Sequence, residues 1–176
     1  FLNVPTLLER IKNGVEDKVH KQGGIGRKLY EAGRDAWLRQ IAGEAKPLDA
    51  VITTVASRVV FKKIRDGIGE NLECLICGSA PLGEDTQRWF EMLGIPVYQV
   101  YGLTETTGIV TMDEPRQAVP GRVGHAIEGC EVKLGDDDEL LVRGPNLFKG
   151  YWNLEEATRD AFDGDGWYHT GDRVEV

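Results

Sequence analysis

The pattern that decides the fold lies in residues 72–105, which run LECLICGSAPLGEDTQRWFEMLGIPVYQVYGLTE. The apolar run Leu72 to Cys77 predicts a short strand, and Glu84 to Leu93 predicts a helix with Trp89 and Phe90 facing inward. Ile95 to Val100 predicts a second strand. Two short apolar strands joined through a helix are typical of a parallel pair in an α/β sheet. We therefore expect an α/β fold around this stretch.

The residues before this stretch predict helices. Apolar residues recur at helical spacing from Val4 to Val19, from Arg27 to Ile41, and from Pro47 to Ile64. Pro5 suits the first turn of a helix, and the pair Gly23-Gly24 separates the first two patterns. We therefore predict a helical segment over residues 1–69 and an α/β segment over residues 70–112.

The residues after it predict β structure. Glu131 to Leu134 and Glu139 to Val142 flank an acidic turn, which is typical of a hairpin. A polar helical turn is expected before Phe162, and Trp167-Tyr168 and Val174 to Val176 resemble strands. The third predicted segment, residues 113–176, is therefore β-rich, and the whole chain is predicted to be of mixed α/β class.

Composition excludes several functions. The 176 residues carry a formal net charge of -8, which disfavours binding to nucleic acid because the phosphate backbone attracts clustered Lys and Arg. No apolar run approaches the ~20 residues that span a bilayer, and the first residues lack a signal-peptide pattern. Cys74 and Cys77 form a C-x-x-C pair, but residues three apart on a strand point to opposite faces. We interpret them as reduced, packed cysteines of a cytoplasmic protein.

Two loops follow the predicted strands. In open α/β sheets, ligands bind in the crevice at the carboxyl ends of the strands. The first loop is built from small residues that would not obstruct a flat ring, namely Gly78, Ser79, Ala80 and Pro81. Taken alone, it is more typical of an ordinary turn. The second strand ends at Tyr101-Gly102, so that both loops are predicted to face one crevice.

The segment after the second strand combines three kinds of nucleotide contact. The Tyr101 ring can stack on a base, the Thr104 hydroxyl can donate to a phosphate oxygen, and Glu105 can bind Mg²⁺ together with substrate phosphates. The alternative is a buried tyrosine followed by a helix cap. Asp172, behind Gly171, can accept two hydrogen bonds from the vicinal hydroxyls of a ribose, although a Gly-Asp pair is also common in turns.

These residues fall in four ordered motifs that resemble the core motifs of the adenylate-forming, or AMP-binding, enzymes. The motifs are Gly78 to Leu82, Gln99 to Glu105, Val142 to Trp152 and Gly166 to Asp172. The opening Val4-Pro5 and the long helical segment look most like bacterial long-chain fatty-acid–CoA ligases (acyl-CoA synthetases).

The resemblance implies a two-step reaction. A fatty carboxylate attacks the α-phosphate of ATP to give acyl-AMP and pyrophosphate, and the thiol of coenzyme A then displaces AMP. By motif match, Thr104 and Glu105 would be catalytic, with Glu105 carrying Mg²⁺, and Asp172 would hold the ribose. The ATP/AMP site would be lined by Gly78, Ser79, Ala80, Pro81, Gln99, Val100, Tyr101, Gly102, Thr104 and Asp172.

The resemblance also implies missing parts. A phosphate loop with its lysine is not recognised upstream, and the chain stops four residues after Asp172. We interpret the chain as an internal fragment of the large domain, inactive alone and prone to association through uncovered sheet edges. Its partners would be a long-chain fatty acid, ATP and CoA, with peripheral contact at the inner face of the membrane. Two alternatives stay open: adenylation of another acid or for a carrier protein, and a nucleotide-binding module without catalysis.

Overall fold

The computed structural model describes residues 2–115 and 117–175. The chain divides into two compact units, the first ending at Tyr98 and the second beginning at Gln99. The boundary falls inside strand β3 (Val97–Tyr101), and it coincides with none of the borders of the three predicted segments.

The first unit contains the predicted helices. They are α1 (Pro5–Gln22), α2 (Gly24–Ile41), α3 (Asp49–Ala56) and α4 (Lys62–Gly69), and a π-helical stretch, Ser57–Phe61, joins α3 to α4. Helix α1 ends where Gly23 adopts a φ of 60°, a conformation that glycine tolerates without a Cβ clash. The predicted break at Gly23-Gly24 is thus confirmed.

The first unit also contains strands. Strand β2 (Leu75–Cys77) and helix α5 (Glu84–Met92) confirm the predicted strand and helix, although β2 starts three residues later than expected. Besides the predicted helices of residues 1–69, Leu2–Asn3 forms strand β1, which pairs in parallel with β2 and was not predicted. Two residues are too few to show an alternation of apolar and polar side chains that would predict a strand. The parallel sense of the β2–β3 pair stays a prediction.

The core of the first unit is built around aromatic side chains. Tyr30 and Phe61 meet edge to face, with ring centroids 6.1 Å apart, and Trp89 and Phe90 do the same at 4.9 Å. The indole of Trp89 donates to the Tyr30 hydroxyl at 2.7 Å, and that hydroxyl donates to Glu16 at 3.0 Å. The polar atoms of these buried rings are therefore satisfied.

The second unit consists mainly of short antiparallel strands. Tyr101 in β3 pairs with Thr111 in β4 (Thr111–Met112), which in turn pairs with β5 (His125–Ala126). A three-stranded sheet has the order β6-β7-β8, with bounds Glu131–Leu134, Glu139–Arg143 and Tyr168–Arg173. The predicted hairpin is confirmed, since Val132 faces Val142 across β6 and β7.

The small core of the second unit lies between its strands. Val110, Leu140 and Val142 are buried, and Tyr101 and Leu147 pack against them. The expected polar helical turn is α6 (Glu155–Asp160).

The end of the chain differs from the expectation. The strands expected at Trp167-Tyr168 and at Val174 to Val176 are replaced by the single strand β8. Val174 and Glu175 lie outside β8, and Val176 lies outside the described residues. The polar sequence of β8, YHTGDR, gives no apolar alternation that would predict it.

Among the described residues, no helix combines the length and the apolar character needed to cross a membrane.

Asp49 makes the most buried ion pair of the first unit. Its side chain is 2% exposed, and it receives two hydrogen bonds from Arg39, at 2.6 and 2.9 Å. The backbone N–H of Lys46 donates to the same carboxylate at 2.8 Å. The bonds from Arg39 and then from Lys46 lower the pKa of Asp49 to about 2. The pair links α2 to the start of α3.

We expect Asp49→Asn to lower the urea midpoint of unfolding at neutral pH. An unfolded Asp titrates near ~3.9, so the contribution of the charged carboxylate is complete above that pH and is lost as the pH falls towards 2. The difference between wild type and variant should therefore shrink from pH 5 to pH 2. Asp17→Asn, at an exposed position of α1, is the control. A difference that stays constant over this range would contradict the assignment.

Candidate functional site

The segment Thr104–Thr107 is a tight turn that follows strand β3. The N–H of Thr107 donates to the carbonyl of Thr104 at 3.0 Å. The buried Thr106 hydroxyl accepts from the N–H of Leu103 at 2.8 Å and donates back to the carbonyl of Leu103. The turn leaves Thr104 exposed and Glu105 half-buried. The alternative in which this segment starts a helix does not occur.

A second segment of the same unit holds this turn in place. Phe148 donates its N–H to the carbonyl of Glu105 at 2.7 Å. The Asn146 amide donates to the carbonyl of Thr106 at 3.1 Å, and the Thr107 hydroxyl donates to the carbonyl of Asn146 at 2.8 Å. Three bonds between segments about 40 residues apart fix the backbone beneath Glu105.

The carboxylate of Glu105 has its own partner. The hydroxyl of Tyr151 donates to Oε1 of Glu105 at 3.1 Å. Tyr151 packs edge to face against Phe148 with ring centroids 4.8 Å apart. Phe148 also contacts Phe162 and the buried Tyr168, so that the ring of Tyr151 belongs to a cluster of four aromatic rings.

Asp172 lies next to Tyr101. The hydroxyl of Tyr101 donates to Oδ2 of Asp172 at 2.7 Å, across 71 residues of sequence. Burial, followed by the bond to Asp172, raises the pKa of Tyr101, so that the phenol keeps its proton and remains a donor at neutral pH. The structure thus brings together two of the predicted site residues from opposite ends of the second unit.

The backbone that presents Asp172 is held by Glu139 and Thr170. Glu139 accepts from the N–H of Gly171 at 2.8 Å and lies 2.9 Å from Nδ1 of His169. The hydrogen bond with His169 and then the N–H of Gly171 lower the pKa of Glu139. The Thr170 hydroxyl accepts from the N–H of Asp172 at 3.1 Å. Asp172 is therefore an exposed residue of β8, and two side chains hydrogen-bond the backbone that carries it.

The remaining predicted residues of β3 are part of its backbone ladder. Val100 pairs with Met112, and the buried Gln99 receives the N–H of Asp113 on its carbonyl at 3.0 Å. The N–H of Gln99 donates to the Asp113 carboxylate at 2.7 Å. Burial raises the pKa of Asp113. These bonds fix the strand that delivers Tyr101.

The predicted loop Gly78 to Pro81 belongs to the first unit. Gly78 is buried and donates its N–H to the carbonyl of Asn3 at 3.2 Å. Ser79 has a φ of 71°, and Ser79, Ala80 and Pro81 are exposed. The role of this loop in a common site with residues of the second unit stays a prediction.

The cysteine interpretation needs one correction. Cys77 lies in β2 and is buried, but Cys74 precedes the strand, so that strand alternation does not relate the two side chains. Burial raises the pKa of the Cys77 thiol to about 11, which keeps it protonated at neutral pH.

Sequence reasoning assigned no role to four residues that shape the site, namely Thr106, Glu139, Asn146 and Tyr151. Asn146 and Tyr151 lie inside one of the four motifs, which was the available signal. Thr106 directly follows Glu105, and a buried threonine in a turn is a common backbone partner. Glu139 carried no signal, because it was interpreted only as the start of a hairpin strand.

Residues 1–152 match the model of a family described as AMP-binding enzyme. The chain belongs to this family. The predicted membership and the mixed α/β class are confirmed, since the similar solved structures are domains of adenylate-forming enzymes.

Curated members of the AMP-binding family are similar over nearly the whole chain. The peroxisomal long chain acyl-CoA synthetase 7 of Arabidopsis thaliana is 33% identical over 187 residues, which are 98% of this chain and 26% of the relative. The long-chain-fatty-acid–CoA ligase FadD15 of Mycobacterium bovis is 35% identical over 174 residues, covering 97% and 29%. The chain spans about a quarter to a third of the length of such relatives.

Solved structures show the same likeness. The ATP-bound RpMatB-BxBclM chimera B3 superposes with a TM-score of 0.55 and 34% identity, over 69% of this chain and 26% of the other. The N-terminal domain of FACL13 from Mycobacterium tuberculosis superposes with a TM-score of 0.53 and 34% identity, over 58% of this chain and 29% of the other. The anthranilate CoA ligase AuaEII in complex with anthranoyl-AMP superposes with a TM-score of 0.53 and 28% identity, over 59% of this chain and 22% of the other.

Gly102 is the point where the turn folds back on itself. A Cβ at this position would lie 1.5 Å from the carbonyl oxygen of Gly108 and 2.6 Å from its carbon. We expect Gly102→Ala to displace the turn that carries Glu105 and to destabilise the protein by ~1–3 kcal/mol or more in urea unfolding. The amide signals of Thr104–Thr107 should shift with it.

The matched control is Gly164→Ala, where no atom lies within 4 Å of the added Cβ. Its stability should stay within about 0.5 kcal/mol of wild type. Equal midpoints for the two variants would show that the close approach at Gly102 does not constrain the turn.

Proposed function

We propose that this chain is part of a long-chain fatty acid–CoA ligase and that its second unit binds the adenylate. The enzyme would activate a fatty acid with ATP to give acyl-AMP and pyrophosphate. The thiol of CoA would then attack the acyl carbon, releasing AMP and forming the thioester. The names of the curated relatives, at 33% and 35% identity over nearly the whole chain, support the reaction class.

The observation that carries the proposal is the hydrogen bond between Tyr101 and Asp172. It joins the strand end expected to contact the base with the carboxylate expected to hold the ribose, at 2.7 Å within one unit. A carboxylate has about four lone-pair sites, so the bond at Oδ2 leaves room for both ribose hydroxyls. Ribose recognition by Asp172 would therefore need no rearrangement of strand β8.

Thr104 and Glu105 would act at the phosphates. The Thr104 hydroxyl is exposed and can donate to an α-phosphate oxygen. The residues present fit Mg²⁺, because Tyr151 binds Oε1 of Glu105 and Oε2 remains for a cation that prefers one or two carboxylates plus substrate phosphates. Bound there, Mg²⁺ would neutralise charge that develops on the phosphates. Catalysis by this chain would rest on positioning and charge stabilisation.

The acid and the place of action are part of the proposal. A long-chain fatty acid is favoured over an aryl or short-chain acid because the curated relatives carry long-chain names, although the structural neighbours include an anthranilate ligase. We infer a cytoplasmic enzyme that contacts the inner face of the membrane to collect a lipid substrate. A saturated series from acetate to palmitate separates the acids by their kcat/KM values.

The test uses the longer protein that contains this sequence and follows ATP–pyrophosphate exchange. Exchange should depend on long-chain fatty acid. Glu105→Ala should lower it about 10²–10³-fold, the typical effect of losing one preorganised stabiliser of the transition state. Glu114→Ala, which changes an exposed carboxylate of the same unit, is the control. Exchange without added acid, or full exchange in Glu105→Ala at limiting Mg²⁺, would contradict the proposal.

A further inference from the structure

The partner of the Glu105 carboxylate is itself held on several sides. The backbone N–H of Tyr151 donates to the hydroxyl of Thr158 at 2.9 Å, and that hydroxyl donates to the carbonyl of Leu154 at 2.9 Å. Its ring packs edge to face on Phe148 at an angle of 70°. The backbone and the ring of Tyr151 are therefore both fixed.

Tyr168 belongs to the same aromatic cluster as Tyr151 and Phe148. It is 4% exposed, and its ring meets Phe148 edge to face at 5.7 Å and Phe162 at 5.6 Å. Burial, followed by a hydrogen bond with Tyr151, raises the pKa of Tyr168. A chain of side chains thus runs from the aromatic cluster through Tyr151 to Glu105.

The same stretch of chain also binds the backbone of Glu105. Phe148 donates its N–H to the carbonyl of Glu105 at 2.7 Å, three residues before Tyr151 reaches the carboxylate at 3.1 Å. A glutamate side chain on a turn would otherwise sample several rotamers, and fixing it costs conformational entropy. The two contacts together select one orientation before any ligand binds.

We propose that Tyr151 is a positioning residue, whose hydroxyl holds Oε1 of Glu105 so that Oε2 is presented to the magnesium ion of the bound nucleotide. This inference rests on the proposed function, because it takes Glu105 as the metal ligand. Tyr151 would act only through Glu105 and would not itself contact a reacting atom. Its effect is to make a single-oxygen carboxylate ligand available without reorganisation, which suits an ion that demands near-ideal octahedral geometry.

The experiment is a double-mutant cycle on the longer protein, read by calorimetric titration with ATP in excess Mg²⁺ and again in EDTA. Tyr151→Phe removes the hydroxyl and keeps the ring against Phe148. We expect ATP affinity in Mg²⁺ to fall about 10- to 150-fold, as for a lost bond to a charged group, and affinity in EDTA to stay unchanged. A purely structural defect would weaken both.

The cycle is closed with Glu105→Ala. In that background Tyr151→Phe should cause no further loss, because the hydroxyl has nothing left to position. Tyr98→Phe, which removes a tyrosine hydroxyl from the other unit, is the matched control and should leave both affinities unchanged.

The outcomes separate this inference from the proposed function. If Glu105→Ala weakens Mg²⁺-dependent binding and Tyr151→Phe does not, the positioning role is wrong and the ligase proposal stands. An equal loss from Tyr151→Phe in both backgrounds, or in EDTA, also overturns the role. If Glu105→Ala leaves Mg²⁺-dependent binding intact, the metal role of Glu105 fails and the inference fails with it.

Discussion

The hydrogen bond from the Tyr101 hydroxyl to Asp172 is the constraint on which the candidate site depends. Tyr101 ends strand β3, and Asp172 lies in β8, the last strand of the other sheet of the same unit. Each residue is held separately: the carbonyl of Tyr101 accepts from Val110 at 2.8 Å, and the N–H of Asp172 donates to Thr170. Because the backbones of Tyr101 and Asp172 are both held, the bond between their side chains brings the end of β3 and the carboxylate of β8 onto one surface.

Glu105 follows the same design with different partners. Its backbone is bound by Phe148 and its carboxylate by Tyr151, both from the segment that leads to α6. In each case a tyrosine hydroxyl donates to a carboxylate. Tyr101 is held by its strand, β3, and Tyr151 is held by its packing against Phe148. Such preorganisation lets a site bind charged groups without first reorganising its own dipoles. Under the proposed function, an acidic chain of net charge -8 can still bind a phosphate-bearing ligand, because one carboxylate would bind a cation and the other a sugar.

The sequence predicted those helices and strands in which apolar residues recur with a clear period. The helices α1 and α2, the strand–helix–strand stretch around α5 and the hairpin of β6 and β7 all contain enough apolar residues to show it. Strand β1 has two residues, and β8 is polar and interrupted by Gly171, so neither shows a period.

The contacts of the site could be predicted only in part. Motif likeness indicated Tyr101, Glu105 and Asp172 as a group. The bond between Tyr151 and Glu105 spans 46 residues, and that between Glu139 and Gly171 spans 32, so they depend on strand register and packing that no local pattern encodes.

The most direct test of this account is a crystal structure of the longer protein with a non-hydrolysable acyl-adenylate. We expect the Asp172 carboxylate within ~3.2 Å of both ribose hydroxyls, which is hydrogen-bonding distance, with the bond from Tyr101 retained. An adenylate bound elsewhere, or one whose ribose does not contact Asp172, would contradict the central claim.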